Sequence, residues 1–81
     1  MPKFMDVHDH LTLPETAIKE MSQSTRQGAR DQFGVRQIEL YYNADGKAFC
    51  LLEGPNDEAI RQHHAALEVP CGEVYPVESL L

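Results

Sequence analysis

The chain has 81 residues, 42% of them hydrophobic, and 13 acidic against 7 basic residues give it a net charge of −6 at pH 7. This length makes one domain, residues 1–81, whose thin core gains from oligomerisation or a bound ion. The scattered Lys and Arg argue against nucleic acid, which needs clustered cations for its phosphates, and no apolar run approaches membrane-spanning length, so no membrane partner is expected.

The start, Met1-Pro2-Lys3-Phe4, lacks the apolar stretch of a secretion signal, and a cytoplasmic protein is expected. Cys50 and Cys71 form no CxxC pair and are expected to be free thiols in a reducing compartment.

Lys3 to His8 alternates, with Met5 and Val7 on one side and Phe4, Asp6 and His8 on the other. That is a short strand with one apolar face. Asp9 and His10 lead into a turn. Thr12 and Glu15 have the spacing of a capping box, with Pro14 in the first turn, where its missing N–H costs nothing. A helix is expected from there to about Gln32, with sparse apolar positions at Leu13, Ala17, Ile18, Met21 and Ala29. Gly28 weakens its second half and Gly34 is its C-cap candidate.

Val35 to Tyr42 is the second strand, in which Ile38, Leu40 and Tyr42 alternate with Gln37, Glu39 and Tyr41. Asn43-Ala44-Asp45-Gly46 makes a hairpin turn. Lys47 to Glu53 is more continuously apolar and reads as a central strand. Gly54-Pro55 ends it, and Asn56 caps a second helix that reaches Leu67 or Glu68. Pro70 to Gly72 break that helix. Glu73 to Val77 is the last strand, and Pro76 marks it as an edge.

The order βαββαβ is that of an α+β, ferredoxin-like fold: a four-stranded antiparallel sheet with two helices on one face. The name describes topology, because two cysteines cannot hold an iron–sulfur cluster. The uncovered face suits packing against a second copy, giving a homodimer and a dimeric α+β barrel. On this reading Met5, Val7, Ile38 and Leu40 face the helices. Phe4, Asp6, His8, Gln37, Glu39 and Tyr41 then face the partner sheet.

Most side chains able to do chemistry lie on the first strand, the third strand and the second helix. Cys50 stands roughly 10 Å from the end of its strand at about 3.3 Å per residue. His64 stands roughly 12 Å along the following helix at about 1.5 Å per residue, so the two are level. Ile60, His64 and Leu67 share the helix face turned to the sheet, with His63 beside it. A buried histidine bonded to backbone and packed on a small apolar cysteine accounts for this pair as well as a metal does. Asp6 and His8 share strand parity. They could ligate together, Asp6 could orient the imidazole from behind, or both could form a solvated strand end. Cys50 faces either His64 or Asp6 and His8, which leaves one site or two. Thiolate, imidazole and carboxylate together suit Ni, Cu or Zn and not Mg or Ca.

Several segments carry a family resemblance. They are Phe4-Met5-Asp6-Val7-His8, Phe33-Gly34-Val35, Tyr41-Tyr42, Asp45-Gly46-Lys47, Phe49-Cys50-Leu51-Leu52-Glu53-Gly54-Pro55 and Glu58-Ala59-Ile60-Arg61 leading to His64. Over most of its length the chain resembles small bacterial nickel-binding proteins of ferredoxin-like fold, found in actinobacteria and others. The resemblance implies a dimer of paired sheets and a Ni²⁺ ion, with Zn²⁺ or Cu²⁺ as alternatives. It also implies Asp6, His8, Cys50 and His64 as the metal ligands. The chain departs from the pattern where many relatives carry a second helical histidine and a glycine: here stand Glu68 and Val69, while His10 is extra.

The function expected is metal sequestration or delivery. The alternative is an enzyme acting on a small organic substrate in the inter-sheet pocket, with Tyr41, His8 and Asp6 as acid–base groups or the Pro2 amine as base. A plain interaction domain is the third reading.

Overall fold

The computed structural model describes residues 1–9, 14–69 and 71–81. Thr12, the helical position of Leu13, the extra His10 and the break at Pro70 lie outside the described residues, while Pro14, expected inside the first turn, is instead the N-cap of the first helix, so Glu15 is its first residue and does not close a capping box. The elements run β1 (Lys3–His8), α1 (Glu15–Gln27), β2 (Arg36–Tyr42), β3 (Ala48–Glu53), α2 (Asp57–Ala66) and β4 (Glu73–Val77). The strands form one antiparallel sheet in the order β2-β3-β1-β4. This is the expected ferredoxin-like arrangement, with β3 central and the proline-bearing β4 at an edge. Among the described residues, no helix is long and apolar enough to cross a membrane.

Local chemistry explains the boundaries. Asn56 caps α2 by accepting the Ala59 N–H at 2.8 Å, and Asp57 and Glu58 occupy the first turn. In the hairpin turn the Asn43 side chain accepts the N–H groups of Asp45 and Lys47, each at 3.0 Å. The first helix is shorter than expected. It ends at Gly28, which takes the left-handed conformation (φ 66°) with its N–H on Thr25, so the expected extension to Gln32 does not form. Residues 29–34 instead make a loop knotted on Asp31. The Asp31 Oδ1 accepts the N–H groups of Phe33 and Val35, and the Asp31 N–H donates to the Val35 carbonyl.

The expected facing of β1 is inverted. Phe4, Asp6 and His8 are buried under the helices, while Met5 and Val7 are half-buried on the open face. Register fixes this: Phe4 stands opposite Leu52, Asp6 opposite Cys50 and His8 opposite Ala48, all on the helix side. The alternation of β1 misleads because both faces of this sheet carry apolar residues, so Met5 and Val7 do not identify the inside. Gln37 also moves. A bulge between Gln37 and Glu39 lets Gln37, opposite Leu52, and Leu40, opposite Cys50, both face the helices. Leu40 is inside as expected, and Glu39 and Tyr41 lie on the open face. Ile38, at the bulge, lines a recess beside Ile18 of α1.

The core lies between the sheet and α2: Phe4, Val35, Cys50, Leu52, Ala59 and Ile60, with Phe33, Leu40 and Val74 packed around it. None of the described residues of α1 is buried. Near the end of β1, the chain entering β4 presses close at Gly72, where a Cβ would stand 2.3 Å from the Val7 carbonyl oxygen.

Candidate metal centre

Three polar side chains are buried on the helix side of the sheet: Asp6 at 0%, His8 at 6% and His64 at 4% exposure. Asp6 and His8 come from β1, two residues apart and therefore on one face. His64 comes from the inward face of α2, one turn beyond Ile60. Cys50 stands opposite Asp6 on the same face. Its facing is thereby settled toward the helices, and all four candidate residues lie on one side of the sheet.

The three polar groups converge. One donor atom from each of Asp6, His8 and His64 lies within 4.8 Å of the others. His8 Nε2 is 2.7 Å and His64 Nε2 is 2.6 Å from the same oxygen, Asp6 Oδ2. Both are ion-pair distances, yet the two buried carboxylate oxygens of Asp6 have no regular hydrogen-bond partner among the described residues. The His64 Nδ1–H donates to the Ile60 carbonyl at 2.7 Å, which fixes the ring and leaves Nε2 to carry the lone pair in the neutral form. A neutral Nε2 lone pair facing a carboxylate oxygen is repulsive. The arrangement needs a proton or a cation between the groups.

Electrostatics follow from this packing. Burial opposes protonation of His64, but the Asp6 carboxylate and the Ile60 carbonyl outweigh it and raise its pKa. Burial pushes the Cys50 thiol far up, and the Asp6 charge beside it adds to the shift. Cys50 is therefore a protonated thiol here, and its sulfur is not part of the three-atom cluster.

A second histidine–carboxylate pair lies next door and was not expected from the sequence. His63 Nδ1 is 2.5 Å from Asp31 Oδ2, and the His63 ring meets that of His64 edge-on, with centroids 5.6 Å apart. The spacing of 32 residues hides this pair. Only the placement of His63 beside the inward face hinted at it. Glu53 behaves as a strand-end anchor, binding Arg30 and Arg36. The acid–base set imagined for an enzyme is split by the sheet. Asp6 and His8 lie under the helices, while Tyr41 stands opposite Phe49 on the other face. Cys50 and Cys71 are free.

Comparison with known proteins agrees with this fold. The crystal structure of SCO4226 from Streptomyces coelicolor A3(2) superimposes with a TM-score of 0.73 at 24% sequence identity, covering 98% of this chain and 99% of that one. Among curated proteins none matches. Residues 4–77 match the family model described as nickel responsive protein SCO4226-like, a span that includes Asp6, His8, Cys50 and His64, and the chain belongs to that family.

Proposed function

We propose that this protein binds a divalent transition metal of the nickel class through Asp6, His8 and His64, with Cys50 as a fourth donor, and that it sequesters or delivers that ion. One observation carries the reading. Two imidazole nitrogens crowd a fully buried carboxylate oxygen at 2.6 and 2.7 Å without making hydrogen bonds to it. A buried carboxylate left in that state costs several kcal/mol, roughly, and a cation among the three donors removes the penalty at one stroke. Mixed imidazole, carboxylate and thiolate donors favour Ni, Zn or Cu over the hard cations. The description of the family as nickel responsive supports nickel among these.

Cys50 enters on condition. Its thiol is held protonated by burial and by Asp6, so ligation must expel a proton, and affinity rises with pH. Its position opposite Asp6 puts it beside the cluster. Free Cys50 and Cys71 are consistent with a reducing cytoplasm.

The reading includes a homodimer through the open sheet face. Two rows on that face are apolar over three of their four strands: Tyr41, Phe49 and Val7 in one, which ends on Glu73, and Leu51, Met5 and Tyr75 in the other, which starts from Glu39. Tyr41 is 58% and Tyr75 46% exposed in the single chain. A contiguous apolar surface of this kind marks an association site. Asp6 and His8, expected to line that interface, lie on the other side of the sheet, so the dimer would be held mainly by apolar packing and the metal by each protomer's own core.

The test is elemental analysis of untagged protein purified without a metal resin, with Ni²⁺ and Zn²⁺ thermal-shift titrations on the same sample. Near-stoichiometric metal and a rise in melting temperature are expected, and His64→Ala should abolish both. Metal-free protein with no shift from either ion would end the proposal. Loss of a thiolate-to-nickel absorption band in Cys50→Ala would identify the fourth donor.

A further inference from the structure

We infer that Asp31 and His63 form a strut that fixes the rotation of α2 and so holds His64 on the metal centre. The inference rests on the metal-binding reading above. His64 reaches Asp6 from a helix whose buried residues, Ala59, Ile60 and His64, are spread over about 140° of its circumference at about 100° per residue. Ala59 and Ile60 hold that face by apolar packing, which resists tilting more than small rotations. His63 lies within the same arc, one residue before the ligand, and adds a directional polar tie there. A roll of about 10° moves an atom roughly 7 Å from the axis by about 1 Å, taking the ~2.3 Å helix radius plus the reach of an imidazole. Ligand positions in a metal site tolerate only about 0.5 Å.

The anchor is stiff at both ends. Asp31 Oδ2 meets His63 Nδ1 at 2.5 Å. Asp31 Oδ1 accepts from Phe33 and Val35 at 2.8 and 2.9 Å, and the Gly34 N–H donates to the Asp31 carbonyl at 3.1 Å. Two further ties brace the loop, where Arg30 donates to the Gly34 carbonyl at 3.0 Å and binds Glu53. The other end is the His63 ring, which stands at 83° to the ring of His64. Nδ1 of His64 is already tied to its own helix through Ile60, so any roll of α2 carries the whole ring with it. Asp31 and His63 are thus positioning residues, one contact removed from the ligand.

Nickel affinity and the visible spectrum of the Co²⁺-loaded protein test this in wild type, His63→Leu and His63→Asn. Leucine keeps bulk and loses the donor. Asparagine keeps an N–H donor near the Nδ1 position and loses the ring. His63→Leu should weaken nickel binding about 3- to 10-fold, below the roughly 10- to 100-fold typical of a direct hydrogen-bond partner of a ligand, and should shift the Co²⁺ bands. His63→Asn should recover most of both. Asp31→Ser, whose hydroxyl can still cap the loop but cannot reach His63, should match His63→Leu and serves if that variant does not fold. Wild-type affinity and spectrum in His63→Leu or in Asp31→Ser would overturn the strut. So would equal losses in the leucine and asparagine variants, because they would assign the effect to the ring. Wild-type protein that takes up no nickel would instead bring down the metal reading itself.

Discussion

Replacing Asp6 by Asn should stabilise the metal-free protein and abolish its response to nickel. Asp6 is fully buried, its oxygens lack hydrogen bonds, and two imidazole nitrogens stand 2.6 and 2.7 Å from one of them. An unpartnered buried polar group costs about 1–3 kcal/mol, and more when charged. Asparagine removes the charge and supplies N–H donors toward the imidazole nitrogens. A gain of about 2 kcal/mol raises the melting temperature of a domain this size by roughly 8–16 °C. Nickel at about 100 times its dissociation constant should stabilise wild type by about 2.7 kcal/mol, roughly 11–22 °C on the same scale. The assay is thermal unfolding of both proteins, with and without nickel, at roughly pH 8.5, about two units above the ordinary histidine value. There His64 is more nearly neutral, so little is lost from an Asp6–His64 ion pair. The two proteins should therefore exchange rank when nickel is added. A variant that melts below metal-free wild type, or that keeps a wild-type nickel shift, would refute the reasoning.

The raised pKa of His64, where burial is outweighed by Asp6 and the Ile60 carbonyl, gives metal-free stability a pH dependence. The contribution is complete below about pH 6.5, the unfolded histidine value, and is lost as pH rises through the folded value; the urea midpoint should fall over that window, and His64→Gln should flatten the slope. Gly72→Ala would place a Cβ 2.3 Å from the Val7 carbonyl oxygen. The resulting overpacking should cost about 1–3 kcal/mol, lowering the melting temperature by roughly 4–24 °C, and an unchanged melt would refute the close approach. Phe49→Glu should convert a wild-type dimer to monomer in sedimentation equilibrium while leaving nickel stoichiometry per chain unchanged, because the centre lies on the other side of the sheet. A monomeric wild type would refute the interface.

The topology was legible because each element carries its own local signal. Asn56 announces the start of α2, Pro76 marks the edge strand, and the run Phe49 to Leu52 marks a central one. The end of α1 was harder to read. Gly28 and Gly34 both take positive φ, and sequence alone does not say which of them stops the helix. The facing of β1 was misread because alternation reveals two faces without saying which is inside. A sheet expecting an apolar partner has two insides. Phe4 buried beside Asp6 resolves the question only once Leu52 and Cys50 are known to stand opposite. The burial of Cys50 and of His64 on the helix side was legible only as one of two facings for Cys50. The Asp31–His63 pair depends on the loop after α1 folding back on α2, a contact that no local pattern encodes.

The fold leaves Asp6 little scope for local relief. It sits mid-strand in β1, with Cys50 paired on one side and Val74 on the other, and α2 lies above it. The carboxylate cannot swing to water without breaking central strand pairing. An apolar residue at position 6 would extend the core of Phe4, Leu52 and Ile60 and stabilise an 81-residue domain that has few buried side chains to spare. A local choice that works against folding is expected where function demands it. Two histidines from separate elements aimed at that same carboxylate make the demand specific: on the proposed metal reading a cation restores the missing stabilisation, and occupancy of the centre and stability of the fold become one equilibrium.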